Sequence, residues 1–485
     1  MKKKSDIFHS KNYLFLNFFI LLGYLFLYPV LTNKISPGDY GNYILAHSVA
    51  IIIVGISNLG LKIGYKRNFF EFYDQKKETE ILLFSVQIFV LSIFSIIFLI
   101  NFIFQDKIIS FFPGMKNLEN FWIFLLLALM FDSISKYYLI YLANKRQSEK
   151  YFILVFLRTL IYFGLIFVFL FNNYGIISLV YSLLISNFII LFLIIIFQIK
   201  NKYFEYNQKY IKEILKISLP NTPKILFGEI NAKADKILIS ILSTFANTGI
   251  YAIAQSLSYV IFQITTSLDK VFITQTNKML FDKKNNKIGS YLTPFIYLCS
   301  LPAITMILFN DIILKIFIDN KYHGSENVII ILSLYYFSLI FSKVSGTQLI
   351  YVKKVWLNAN FFILNIILNI ILNIPLIYYF EIMGAAIATL LSSSISLILS
   401  MHYAKKNAPI YYERSLILLI FSFIFFSSVY AILISNNFLK INFIFDQIIS
   451  VGILIFFLYY GYICKIYNKN TLKNILDISQ FKSIL

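Results

Sequence analysis

The chain has 485 residues, of which 59% are hydrophobic and only 14% are charged. Soluble domains are about half apolar and a quarter charged, so this composition excludes an ordinary soluble protein and indicates a polytopic membrane protein. The net charge of +20 does not indicate nucleic-acid binding, because the basic residues lie in short segments between apolar runs, as loops of membrane proteins do.

Cysteine and histidine are scarce. Cys299 and Cys464 both lie in apolar runs, which excludes a disulfide framework and a thiolate metal site. The four histidines are His9, His47, His323 and His402, and their spacing fits no metal-ligand motif. We therefore predict no cofactor and no metal.

The first thirty residues combine a basic start at Lys2, Lys3 and Lys4 with a long apolar run. A signal peptide has a shorter core and a small-residue cleavage site, so the sequence predicts an uncleaved first helix. The high content of Ile, Lys, Asn, Phe and Tyr hints at an AT-rich genome, hence a bacterial inner (plasma) membrane.

Apolar runs long enough to cross the hydrocarbon recur along the whole chain, each with about 20 residues. They predict about 14 transmembrane helices, at 13–32, 43–64, 81–104, 121–142, 151–171, 175–198, 218–242, 248–272, 289–310, 328–350, 357–378, 384–403, 415–435 and 447–465. Helices are required because lipid cannot satisfy free backbone groups, and the runs are too long for barrel strands.

The loop charges set the predicted orientation. With the amino terminus inside, inner segments carry 30 Lys and Arg residues, outer loops carry 6, and 7 lie within spans. This asymmetry predicts a multi-pass protein with both termini in the cytoplasm.

Weak internal repeats link the two halves of the chain. Gly41-Asn-Tyr43-x-x-Ala46-x-Ser48 matches Gly249-Ile-Tyr251-x-x-Ala254-x-Ser256, and Ser135-Lys136 matches Ser342-Lys343 at nearly the same offset. The repeats predict an all-α fold of two six-helix lobes related by a pseudo-twofold, plus two peripheral C-terminal helices. The predicted parts are the lobe 1–198, an amphipathic cytoplasmic linker 199–217, the lobe 218–408, and two helices with a cytoplasmic tail over 409–485.

The linker has a hydrophobic face on one side of a short helix. Ile211, Ile214 and Leu215 share that face, with Lys212 and Lys216 off it. We expect this helix to lie on the inner leaflet.

Charged residues inside the spans are costly in lipid and normally face a cavity or a partner. The cations are Lys136, Arg158, Lys224, Lys233, Lys236, Lys270 and Lys343; the anions are Asp132, Glu229, Asp235 and Asp269. One interpretation is a water-filled, mainly cationic cavity; the other is internal salt bridging that stiffens the bundle, with snorkelling near the inner edge. On the first interpretation the predicted substrate-binding residues are Arg158, Lys136, Lys233, Lys343, Lys236, Lys62, Tyr43 and Tyr251. The predicted coupling residues, for an ion or a proton, are Asp132 and Glu229.

Several short motifs resemble one transporter family. They are Tyr40-Gly41-x-Tyr43, Asn58-Leu59-Gly60-Leu61 with Arg67, Leu219-Pro220, Asp235-Lys236 followed by Gly249-x-Tyr251, and Gly384-Ala385-Ala386-x-Ala388. Together they resemble the polysaccharide and O-antigen flippases of the multidrug/oligosaccharidyl-lipid/polysaccharide exporter superfamily, over about residues 10–405. Many O-antigen flippases have twelve helices, so a count of fourteen is closer to the polysaccharide-transporter and lipid II branches.

The resemblance implies alternating access by two six-helix lobes and no enzymatic activity. The expected substrate is an isoprenoid-diphosphate-linked oligosaccharide of an O-antigen, lipopolysaccharide, capsule or other surface polysaccharide. Expected partners are this lipid-linked oligosaccharide, membrane lipid, and the polymerase and glycosyltransferases of the same polysaccharide, with no nucleic acid. The alternatives are a cation-coupled multidrug exporter of the same superfamily and, less favoured, a membrane polysaccharide polymerase or glycosyltransferase.

Overall fold

The structure is a computed structural model. It describes residues 2–111, 119, 121–199, 203–283, 285–439, 441–464 and 466, with the backbone alone for 2–14, 17, 18, 111, 270, 271 and 274. The predicted tail at 470–485 and the side chain of Lys270 lie outside the described residues.

The described residues form α-helices joined by short turns, with no strand among them. The helices are α1 Lys2–Lys34, α2 Pro37–Ser57, α3 Leu61–Glu71, α4 Lys76–Ile103, α5 Gln105–Phe111, α6 Trp122–Asn144, α7 Ser148–Phe171, α8 Ile177–Ile199, α9 Gln208–Ser218, α10 Thr222–Leu242, α11 Phe245–Phe281, α12 Asn285–Leu308, α13 Asn310–Phe317, α14 Glu326–Tyr351, α15 Val355–Asn407, α16 Arg414–Ser435 and α17 Phe443–Ile463. They divide into two compact units, Met1–Gly249 and Ile250–Leu485.

Ten helices of the described chain are long and apolar enough to cross a membrane. One of them, α15, has 53 residues and a non-helical backbone at Glu381, so it covers two of the predicted spans. Helices α1, α10 and α11 match three further apolar runs but are not among those ten. All fourteen predicted runs therefore fall on helices, which confirms an all-α polytopic membrane protein.

The first unit is arranged around α6, which packs against α2, α4, α7 and α8. Helix α1 lies along α7, and α10 lies along α2. Helix α10 thus belongs to the compact unit Met1–Gly249, and its side chains face the same interior as those of α2 and α6.

The second predicted span is broken at its inner end, whereas the sequence predicted one run over 43–64. Helix α2 ends at Ser57, and Leu59 and Gly60 take positive φ angles of 40° and 64° before α3 begins. A Cβ at Gly60 would lie 3.3 Å from the Ser218 carbonyl oxygen and 3.0 Å from Ile225. Left-handed backbone and close packing both favour glycine here.

The linker helix is present as α9, and part of its apolar face packs on protein. Ile211 and Ile214 are buried with Tyr65 of α3 and Leu82 of α4 in one hydrophobic cluster. The backbone of α9 comes so close that a Cβ on Gly64 would lie 2.6 Å from the Ile214 carbonyl oxygen. That this helix lies on the inner leaflet stays a prediction; the structure shows that α3 and α4 cover the buried part of its hydrophobic side.

The second unit packs α12 against α13, α14, α16 and α17. The ring of Tyr297 stacks on Phe457 with centroids 4.5 Å apart, and its hydroxyl donates to the Phe457 carbonyl oxygen at 2.8 Å. This contact fastens the last helix to α12, so both additional C-terminal helices are part of the compact unit Ile250–Leu485.

Candidate functional site

The first unit contains a cavity of about 510 Å³ between α1, α2, α3, α6, α7, α8 and α10, together with residues of the α2–α3 break. Seven of the ten residues predicted from sequence line it. They are Arg158, Lys136, Lys233, Lys62, Tyr43, Asp132 and Glu229. Residues scattered over almost two hundred positions of sequence therefore meet in one hollow.

Asp132 is the centre of the charged wall. Its carboxylate accepts from Arg158 Nη1 of α7 at 2.6 Å and forms an ion pair with Lys136, one turn further along α6. The Asp132 side chain is 15% exposed and that of Lys136 is 47% exposed, so the lysine is the more accessible partner. The Lys136 ion pair links two turns of α6, and the Arg158 ion pair links α6 to α7. Both cations also line the cavity.

The other charged groups of the cavity are not paired in this way. Within the described residues, no carboxylate oxygen lies within 4.0 Å of the Lys62 or Lys233 ammonium, and no basic nitrogen lies that close to the Glu229 carboxylate. Four cationic and two anionic side chains thus line the cavity, which leaves two positive charges in surplus. The hollow is suited to an anionic group of about two charges.

Tyr43 and His47 form a ring-stacked wall on α2. Their ring centroids lie 5.5 Å apart with planes inclined by 16°, and both residues face the cavity. Sequence reasoning treated His47 only as a histidine without ligand spacing. The signal that identifies it is its position four residues after Tyr43, which places both on one helical face.

Asn58 also lines the cavity, although the sequence marked it only as part of a family motif and not as a binding residue. Its side-chain oxygen accepts from the Tyr137 hydroxyl at 2.9 Å and from the Ser133 hydroxyl at 3.1 Å, and its amide donates to the Val54 carbonyl at 3.2 Å. Asn58 begins the break between α2 and α3, and both Asn58 and Gly60 of this break line the cavity.

Three predicted residues do not line this cavity. Lys236 lies one turn beyond Lys233 on α10 and is absent from the lining. Lys343 belongs to the second unit, where its ammonium pairs with Asp269 and lies 5.0 Å from the centre of the Phe262 ring. Tyr251 is fully buried at the start of the second unit.

No group of three or more His, Cys, Asp or Glu side chains with the geometry of a metal site occurs in the part of the chain that the structure describes. The side chains that line the cavity carry ammonium, guanidinium, carboxylate, amide, hydroxyl, imidazole and aromatic groups. These bind and orient ligands through charge and hydrogen bonds.

A family described as "Polysaccharide biosynthesis protein" matches residues 30–326, more than half of the chain. The chain belongs to this family. The resemblance inferred from the motifs at Tyr40, Asn58, Leu219 and Gly249 is thereby confirmed. The search of curated proteins found no match to the chain.

Solved structures with the same fold are membrane transporters. The inward closed conformation of the lipid II flippase MurJ aligns with a TM-score of 0.67 and 18% identity over 95% of this chain and 100% of that one. An inward-facing multidrug resistance MATE transporter aligns with a TM-score of 0.64 and 12% identity over 78% and 92%. The MATE multidrug transporter DinF-BH aligns with a TM-score of 0.57 and 15% identity over 84% and 96%. The chain has the fold shared by these transporters.

Proposed function

We propose that this protein is a flippase that moves an isoprenoid-diphosphate-linked oligosaccharide across the bacterial inner membrane by alternating access. The observation that carries the proposal is the cavity in which Arg158, Lys136, Lys62 and Lys233 outnumber Asp132 and Glu229. The family supports a role in polysaccharide biosynthesis. In keeping with the loop charges, we place both termini in the cytoplasm.

The physical task of a flippase is to replace water around a polar headgroup. A diphosphate and its sugars cannot enter hydrocarbon without partners, because unpaired charges and hydroxyls are costly there. Arg158 offers a planar fork to phosphate oxygens, while Lys62, Lys136 and Lys233 act as point charges. Tyr43 offers an aromatic face to the first sugar, and the lipid tail remains in the bilayer.

The cycle we propose uses the division 1–198, 199–217 and 218–408, with α10 moving between its packing on α2 and the second lobe. In this scheme Asp132 and Glu229 are the coupling carboxylates, and Lys236, Lys343 and Tyr251 contact substrate at other stages of the cycle. The oligosaccharide is that of an O-antigen, capsule or related surface polymer, delivered by glycosyltransferases and passed to a polymerase. Membrane lipid surrounds the helices throughout.

A cation-coupled drug exporter is the second candidate, because MATE transporters share the fold. A cavity with two surplus positive charges repels cationic drugs, so the charge count favours the flippase. A polymerase or glycosyltransferase is a third candidate and has no observation in the cavity to support it.

The deciding experiment measures export of the surface polymer in cells and transfer of a lipid-linked oligosaccharide in proteoliposomes. We expect Arg158→Ala and Lys233→Ala to reduce transfer at least tenfold while the protein remains in the membrane. Lys62→Ala and Lys66→Ala form a matched pair, because both lysines are exposed on α3 but Lys62 alone lines the cavity. We expect loss for Lys62→Ala and normal transfer for Lys66→Ala. Normal transfer by the Arg158 and Lys233 variants would overturn the proposal.

A further inference from the structure

Resting on the proposed function, the geometry points to Asp132 as the residue that makes the cavity select a sugar-bearing diphosphate over the bare isoprenyl diphosphate. The two lipids differ in charge. A diphosphate esterified at both ends lacks the terminal phosphate ionisation, whose pKa is about 6, so the bare carrier has one more negative charge at neutral pH. A flippase that bound both lipids equally would also transport the bare isoprenyl diphosphate, which carries no sugar.

The charge balance of the cavity matches the sugar-bearing form. Lys62, Lys136, Arg158 and Lys233 stand against Asp132 and Glu229, so the surplus of two positive charges is neutralised by a diphosphate diester. A third negative charge on the ligand has no cation left to neutralise it. Replacing Asp132 with a neutral residue raises the surplus to three and removes that mismatch.

The position of Asp132 makes it the discriminating carboxylate. Arg158 Nη1 lies 2.6 Å from one of its oxygens, Oδ1, and the Lys136 ammonium pairs with the other, Oδ2. A terminal phosphate that approaches either cation therefore comes close to the Asp132 carboxylate and is repelled by it. Glu229 lines the same cavity and has no basic nitrogen within 4.0 Å among the described residues, so a ligand does not have to compete with it for a paired cation as it does with Asp132.

Different residues of the cavity attract the ligand and discriminate between the two lipids. Lys62 and Lys233 have no carboxylate within 4.0 Å in the part of the chain that the structure describes, and they attract either lipid. Discrimination arises only when the ligand reaches the Asp132 triad. Loss of Asp132 is thus expected to strengthen binding of both lipids and to strengthen binding of the bare diphosphate more.

The experiment uses the full chain in nanodiscs and two soluble probes, farnesyl diphosphate and farnesyl diphosphate esterified to N-acetylglucosamine. Binding is measured by isothermal titration calorimetry at one ionic strength and at mildly alkaline pH, where the terminal phosphate is fully ionised. We expect Asp132→Asn to shift the preference toward farnesyl diphosphate by about tenfold relative to the unaltered protein.

Two further variants test whether the charge of Asp132, at its own position, sets the preference. Asp132→Glu retains the charge and is expected to retain the original preference, even if α6 packs less well. Glu229→Gln changes the net charge equally and is expected to shift the preference by less than about threefold. An unchanged preference in Asp132→Asn, or an equal shift in Glu229→Gln, would overturn the role of Asp132.

The outcome is distinguishable from failure of the flippase proposal. If neither probe binds, or if binding is insensitive to Arg158→Ala and Lys233→Ala, the proposed function itself fails. If both probes bind through those cations while Asp132→Asn leaves their ratio unchanged, only the selectivity inference fails.

Discussion

The Thr222 hydroxyl donates to the Leu59 carbonyl oxygen at 2.8 Å, and so joins the first residue of α10 to the break between α2 and α3. The same hydroxyl is 3.1 Å from the Ser218 carbonyl oxygen. The break that presents Asn58 to the cavity is therefore held by the segment that follows the linker helix.

Removing this hydroxyl is expected to loosen the break. Thr222→Val keeps the shape but leaves the half-buried Leu59 carbonyl without that donor, at a cost of about 1 kcal/mol. Thermal unfolding in detergent measures the cost, and Thr222→Ser serves as the control because it retains the hydroxyl. Equal unfolding temperatures for the Val and Ser variants would contradict the assignment.

Two glycines of the predicted repeat lie in direct contact. A Cβ on Gly41 would lie 1.8 Å from the Phe245 carbonyl oxygen and 3.0 Å from the Gly249 backbone nitrogen. Gly41→Ala is expected to force these backbones apart and to destabilise the protein by about 1–3 kcal/mol. Gly164→Ala is the control, since a Cβ there meets nothing within 4 Å; a similar loss in both variants would refute the contact.

The spans and the pairing of Asp132 with Lys136 could be predicted because each depends on residues that are close together in the sequence. Asp132 and Lys136 are four residues apart on one helix, so their pairing follows from helical periodicity. The approach of Arg158 depends on how α7 packs on α6, which no spacing along the chain encodes. The break at Leu59 was missed because its positive φ is held by Thr222 and Ser218, more than 150 residues away.

The linker helix shows the same limit. Its amphipathic pattern was predicted correctly, but the pattern alone does not show that α3 and α4 cover Ile211 and Ile214. Lys236 also follows helical periodicity with Lys233, yet it lies one turn further along α10 than the residues that line the cavity. Helical periodicity predicts which side chains share a face of a helix, but how far along that face the cavity extends depends on the packing of the neighbouring helices.

Tyr210 of the linker helix gives a pH-dependent prediction. Burial, followed by a hydrogen bond from its hydroxyl to the Glu78 carboxylate, raises the pKa of Tyr210 from 10.0 to about 12. Because the folded protein holds this proton more tightly than the unfolded chain, the stabilisation is complete below about pH 10 and is lost as pH rises toward about 12.

The comparison variant is Tyr210→Phe, which lacks the titrating hydroxyl. We expect the unfolding temperature of the unaltered protein to fall more steeply than that of Tyr210→Phe across this pH range. Parallel curves would show that the Tyr210–Glu78 hydrogen bond does not contribute.

The ion pair between Lys343 and Asp269 in the second unit permits a test of both interpretations of Lys343. The side chains are 24% and 20% exposed, so leaving one charge without its partner is costly, and Lys343→Gln or Asp269→Asn alone is expected to lower the unfolding temperature. The double variant removes both charges and is expected to recover much of that stability. Because Lys343 is proposed to contact substrate, polymer export in cells should remain low in the double variant despite normal amounts in the membrane. Recovery of export together with stability would make the pair structural only and would remove Lys343 from the substrate-binding set.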